Sequence, residues 1–120
     1  MTKAQFEADG PPIAVTIQCG FADPGAYDLF LWEADRNSRK EIGAGNFINS
    51  DDDTFTLSSD SGQNGKILQC VATVNPLDKN GQFSVNMLIE QGGQELANEA
   101  VSGTSDQPSV TVALFVQLEG

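Results

Sequence analysis

Phe83-Ser84-Val85-Asn86-Met87-Leu88-Ile89 is the stretch that decides the fold: Phe83, Val85, Met87 and Ile89 share one phase of a strict alternation. Successive side chains on a strand point to opposite faces, so a two-residue apolar period marks a half-buried strand. The same period recurs near both ends of the chain. Ile13, Val15, Ile17 and Cys19 alternate with Ala14, Thr16 and Gln18, and Val110, Val112, Leu114, Val116 and Leu118 alternate to the C-terminal side. Within Ile67–Asn75, Leu68, Cys70, Ala72 and Val74 take the inward phase, and Pro76 ends the run.

The segments between them fit the same class. Tyr27-Asp28-Leu29-Phe30-Leu31-Trp32-Glu33-Ala34 is apolar on both phases, which predicts a strand that is central in its sheet or covered on both sides, with Trp32 buried. Lys40 to Ile48 reads as a weak strand broken by Gly43 and Gly45, glycines that suggest a bulge or a close backbone approach. Thr54 to Ser58 is a short strand with Phe55 and Leu57 in phase. Gln94 to Val101 fits either a strand or a short helix and is read as a strand, because no N-cap precedes it. Asp23-Pro24-Gly25, Asn64-Gly65, Asn80-Gly81 and Gly92-Gly93 are turn signals. About eight strands at this spacing predict an all-β, antiparallel two-sheet β-sandwich, immunoglobulin-like or jelly-roll-like, with a closed barrel as the alternative. Short links predict that meander pairing dominates. Residues 1–10 read as an N-terminal arm, with Phe6 in a short edge segment or a loose stretch, and residues 11–120 as a single domain.

Charge narrows the function. The 120 residues carry 17 acidic and 6 basic side chains, a net charge of −11, and no histidine. Such a surface repels nucleic-acid phosphates and anionic membranes and favours solubility, cationic partners or metal ions. No apolar run approaches the roughly 20 residues of a membrane-spanning helix. The N-terminal residues lack the apolar stretch of a signal peptide, so a cytoplasmic location is the default expectation. A trimmed secreted or periplasmic chain would look the same.

Cys19 and Cys70 both fall on inward phases, which permits a cross-sheet disulfide. It would close a loop of about 50 residues and contribute on the order of 4 kcal/mol on the chain-entropy model. The alternative is two reduced, buried thiols acting as small hydrophobes. With two cysteines and no histidine, zinc is not expected. Trp32 follows Cys19 by 13 residues and Cys70 follows Trp32 by 38, a spacing that resembles immunoglobulin domains. Leu68 stands where that family usually has a Tyr, and three strand-like segments follow Cys70 where the family needs one. The resemblance implies a sandwich with a core tryptophan and carries no function.

Asp51-Asp52-Asp53, with Asn49, Ser50 and Asp60, offers hard oxygen ligands on a loop, so Asp51, Asp52, Asp53 and Asp60 are the candidate calcium ligands. Their spacing does not match an EF-hand loop, and a solvated turn is the ordinary reading. No other cofactor is expected. Asp28, Glu33 and Asp35 flank one apolar strand, but no Ser/His/Asp set, Cys/His pair or phosphate-cradling loop accompanies them, so an enzyme is not expected. Arg36, Arg39 and Lys40 hold half of the basic charge within five residues, a candidate partner contact. The expected function is a small acidic, non-catalytic binding module that recognises a protein or carbohydrate through its loops or a sheet face. Tyr27, Trp32 and Phe47 are candidates to line a shallow site. The alternatives are a structural or assembly subunit, through head-to-tail contact of the basic loop with an acidic surface, and an acidic inhibitor of a basic partner.

Overall fold

The computed structural model describes residues 1–47 and 53–120. Nine strands form among them: β1 (Thr2–Gln5), β2 (Ile13–Cys19), β3 (Gly25–Trp32), β4 (Arg39–Asn46), β5 (Asp53–Leu57), β6 (Ile67–Val74), β7 (Gln82–Gln91), β8 (Gln94–Thr104) and β9 (Val110–Glu119). They make a five-stranded sheet, β1-β9-β6-β3-β4, and a four-stranded sheet, β5-β2-β7-β8. The two sheets stay separate rather than closing into a barrel, so the molecule is an all-β sandwich. The eight expected strands are all present, Gln94–Thr104 among them. The ninth, β1, lies in the first ten residues and runs parallel to β9, the one parallel pair among the described strands.

Alternation accounts for the core. Ile13, Val15 and Ile17 of β2 meet Val85, Met87 and Ile89 of β7 in one sheet, and Tyr27, Leu29 and Leu31 of β3 meet Leu68, Cys70 and Ala72 of β6 in the other. Leu114, Val116 and Leu118 of β9 and Ala4 of β1 complete the layer. Phe6 is buried, and Gln91 ties this N-terminal stretch down. Its Oε1 accepts the Glu7 N–H at 2.7 Å, and its Nε2 donates to the Glu7 and Pro11 carbonyls at 2.9 and 2.8 Å.

Meander pairing does not dominate. Only β3–β4 and β7–β8 are hairpins within one sheet, and the other six links pass from sheet to sheet. An apolar phase says which side chains go inward but not which sheet receives the strand. Asn64-Gly65 does turn the chain, with Gly65 at φ +84°, yet β5 and β6 on either side of it belong to different sheets. Two strands of the second sheet, β7 and β8, intervene between the sheet neighbours β6 and β9, so the likeness to immunoglobulin domains is one of architecture and not of connectivity.

The expected glycine effects in β4 are present. A Cβ at Gly43 would lie 2.4 Å from the Phe55 ring, and one at Gly45 would lie 2.5 Å from the Tyr27 hydroxyl. Side-chain-free positions let β4 close over the end of the core, and the β3–β4 register shifts between Leu29 and Phe30.

β3 is central, between β6 and β4, as one reading of its two apolar phases expected, but Trp32 corrects the expectation of a buried core tryptophan. It shares a phase with Asp28 and Phe30, opposite to Leu29 and Leu31, and is half-buried on the outer face of the five-stranded sheet. The inward positions of β3 are Tyr27, Leu29 and Leu31, so the core takes these three and leaves Phe30 and Trp32 outside.

Candidate functional site

The outer face of β3, β6, β9 and the start of β4 carries the most distinctive chemistry of the molecule. Register sets Trp32 beside Ile67 and Arg39, and Phe30 beside Gln69 and Glu41, with Phe115 of β9 opposite Gln69. Gln69, buried among these side chains, organises them. Its Oε1 accepts the Trp32 indole N–H at 2.8 Å and an Arg39 guanidinium N–H at 2.9 Å. The Arg39 guanidinium carbon lies 3.8 Å from the Phe30 ring centre and 5.4 Å from that of Trp32. A cation over an aromatic face is attracted by the ring quadrupole, so Arg39 is held by stacking as well as by its hydrogen bond. The indole is thereby fixed with its N–H occupied and part of its ring open to solvent.

Beside this platform lies a shallow groove of about 270 Å³ lined by Met1, Trp32, Ile67, Phe115 and Arg36. Phe115 is 39% exposed. Arg36 sits in the β3–β4 hairpin with φ +62°, its N–H bonded to the Glu33 carbonyl at 2.8 Å. A side chain with a Cβ reaches this left-handed region at a cost of order 1–2 kcal/mol, and the tight turn imposes it here. Neither Arg36 nor Arg39 has a carboxylate partner among the described residues, whose ion pairs are Lys3–Glu119 at 3.1 Å and Lys66–Glu33 at 3.8 Å.

Two acids lie on the same face. Glu41 hydrogen-bonds to Asp28, and that bond, together with desolvation and the Asp28 charge, raises the Glu41 carboxyl above its ordinary value. The neighbouring carboxylate disfavours the charged form of Glu41, in keeping with this direction.

The other predicted residues are scattered. Asp53 opens β5, and its Oδ2 accepts the Tyr27 hydroxyl at 2.7 Å. Burial first, then that bond, pushes the Tyr27 phenol well above its usual range. Asp60 caps the 3-10 turn Ser61–Gln63, accepting from the Ser58 hydroxyl at 2.5 Å and the Gly62 N–H at 2.9 Å. The Ser58 bond chiefly holds its carboxyl below the ordinary value. Asp53 is the first residue of β5 and Asp60 lies beyond its last, Leu57, about 14 Å along the strand at the usual rise, so the two do not meet at one ion. Asp51 and Asp52 lie outside the described residues. Among the described residues, no group of three or more cysteine or acidic side chains is placed to hold a metal.

Cys19 and Cys70 are free thiols, so the bridge their phases permit is not formed here. Burial, reinforced by the charges of Asp23 and Asp28 respectively, pushes Cys19 up to about 11 and Cys70 to about 12. Both shifts disfavour the thiolate, the form that reacts. Lys40 follows Arg39 on the opposite phase of β4, so the basic trio divides, with Arg36 and Arg39 going to the aromatic face. Tyr27 is buried and stacks near Phe47 at 5.2 Å between centroids, so of the three aromatic candidates only Trp32 reaches an open site.

Sequence reasoning missed Gln69, Ile67 and Phe115, the residues that complete the face. Their signal was present as apolar or amide side chains on the outward phases of β6 and β9. Asp23, read as part of a turn, is 1% exposed, and its Oδ1 accepts the Leu77 N–H at 3.0 Å, bracing two loops at one end of the sandwich. Among the described residues no helix is long and apolar enough to cross a membrane. No family model, no curated protein and no solved structure matches this chain.

Proposed function

We propose that this domain is a non-catalytic binding module that recognises a protein or carbohydrate ligand through the outer face of the five-stranded sheet. One observation supports it above the rest: Trp32 and Phe115 stay partly exposed over the buried Ile67 while Gln69 and Arg39 hold the indole in place. Apolar surface left in water contributes nothing to folding. On burial against a ligand it yields roughly 25 cal/mol per Å². Rigid aromatic rings with a neighbouring arginine are also the side chains in which binding energy concentrates.

A photocrosslinker tests the reading. p-Benzoylphenylalanine at position 115 should give one dominant adduct in cell extract, competed by excess unmodified protein. The same group at position 84, on the opposite outer face, should give none. In parallel, soluble hexasaccharides are titrated against the emission of Trp32, the sole tryptophan. Equal capture from both positions, or no adduct and no saccharide response, would overturn the proposal.

A second reading, an assembly subunit, is favoured by β8, an eleven-residue strand at the edge of its sheet. Such an edge presents unpaired backbone groups that a second copy can extend. Concentration-dependent dimers in analytical ultracentrifugation, abolished by Ala100→Lys, would support it, and a monomer at all concentrations would exclude it.

A further inference from the structure

The groove beside Trp32 has a chemistry specific enough to name its ligand. Its lining is Met1, Trp32, Ile67 and Phe115, and Arg36 is the one polar residue among them. At about 270 Å³ it is smaller than the roughly 300–1,000 Å³ of pockets that enclose whole small ligands, so it holds one apolar side chain or ring. A sugar ring would bring hydroxyls into an apolar groove that offers them few partners, and each buried unpaired hydroxyl is costly. An apolar amino-acid side chain brings none.

The cations supply the second half of the argument. In a chain with 17 acids and 6 bases, each arginine here would be expected to find a carboxylate, yet neither does among the described residues. The nearby acids are already engaged. Glu33 pairs with Lys66 at 3.8 Å, Asp35 Oδ1 accepts the Asn37 N–H at 3.0 Å, and Glu41 hydrogen-bonds to Asp28. Arg39 has spent one of its five N–H donors on Gln69, and its stacking on Phe30 fixes the plane of the rest. A stacked guanidinium of this kind binds a carboxylate through two parallel hydrogen bonds. Beyond the Asp28–Glu41 pair on this face, the remaining negative charge of the chain does little to cancel this attraction. The molecule extends 46 × 31 × 20 Å, and charges farther than about 8 Å are largely screened at physiological ionic strength.

We infer that this face binds a peptide segment of a protein partner that presents one large apolar side chain beside carboxylates, the side chain in the groove and the carboxylates on Arg36 and Arg39. The inference rests on the binding role proposed above and names the ligand of that same face.

The test follows the Trp32 indole N–H resonance of ¹⁵N-labelled protein against three capped peptides: Ac-Gly-Phe-Glu-Glu-NH₂, its Gln-Gln counterpart, and its Ala-Glu-Glu counterpart. The first should shift the resonance saturably, and each of the others should bind about tenfold more weakly. R36Q should narrow the Glu-over-Gln preference severalfold and R39Q should narrow it further. R36Q is the safer variant, because the interaction of Arg36 described above runs through its backbone. Equal binding of the Glu and Gln peptides, or no response to any peptide, would overturn the acidic-peptide inference. If the crosslink from position 115 still forms, or a saccharide moves Trp32, the binding role stands and only the ligand assignment falls.

Discussion

The two outer faces of the sandwich are built by the same alternation and end in opposite states. On the four-stranded sheet the outward positions include hydroxyls and amides that satisfy one another around Leu88. The Thr16 and Thr54 hydroxyls lie 2.9 Å apart, and Asn86 Nδ2 donates to Gln18 at 2.7 Å and to Asn98 at 3.2 Å. On the five-stranded sheet the outward positions include Phe30, Trp32, Ile67 and Phe115, beside Arg36 and Arg39, which have no carboxylate partner among the described residues. The first face is settled in water. The second leaves part of its aromatic surface open and, among the described residues, two arginines without a carboxylate. Interiors therefore explain stability in both sheets, and the outward positions distinguish the face proposed to bind from its opposite.

The comparison yields predictions of descending size. Leu68→Ala, beneath the aromatic face and fully buried between Leu31 and Val116, should destabilise the fold by about 2–5 kcal/mol in urea titration. A smaller loss would mean that the core under this face is loosely packed. Gln69→Ala deprives the Trp32 and Arg39 donors of their shared acceptor and should cost about 1–3 kcal/mol. Its Trp32 emission should move to the red as the indole loosens. Unchanged emission would show that Gln69 does not position the ring.

Thr16→Val on the quiet face removes one hydroxyl of the Thr16–Thr54 pair and should cost about 1 kcal/mol while leaving any ligand response of Trp32 intact. Phe115→Thr should change stability by less than about 0.5 kcal/mol yet abolish the crosslink or titration response of the other face. A ligand response lost in Thr16→Val and kept in Phe115→Thr would reverse the assignment of the two faces.

The smallest effect is a pH dependence. The Glu41 carboxyl is raised in the folded state, first by its hydrogen bond to Asp28, so the folded protein holds that proton more tightly than the unfolded chain does. The contribution of the pair is therefore fully present in acid, below the ordinary carboxylate value, and is lost as pH rises through the raised one. Asp28→Asn should flatten this decline in thermal melts and return Glu41 towards its ordinary value in an NMR titration. An unchanged profile would show that Asp28 does not set the Glu41 shift.

Much of the fold was legible because burial enforces period two wherever one face of a sheet is packed. Ile13, Val15 and Ile17, or Val85, Met87 and Ile89, leave no other assignment. Trp32 misled for the same reason: where both phases are apolar, as in β3, alternation cannot say which one the core takes. The choice of Tyr27, Leu29 and Leu31 depended on what β4, β6 and the opposite sheet offered. The candidate site was half visible. Arg36 and Arg39 stood out by charge against an acidic chain, but Gln69 and Phe115 become partners of Trp32 only through pairing across β3, β6 and β9, strands dozens of residues apart.

By itself the sequence determined an all-β chain, its strands and turns, and the inward side chains of most of them, since these follow from local periodicity and the conformational preferences of Gly, Pro and Asn. Tertiary structure alone decided which sheet each strand joined, that six links cross between sheets, that Asp53 and Asp60 lie at opposite ends of β5, and that one outer face gathers aromatics and arginines. Those outcomes depend on non-local pairing, in which the register of one strand is set by neighbours distant in sequence, and no local pattern encodes that register.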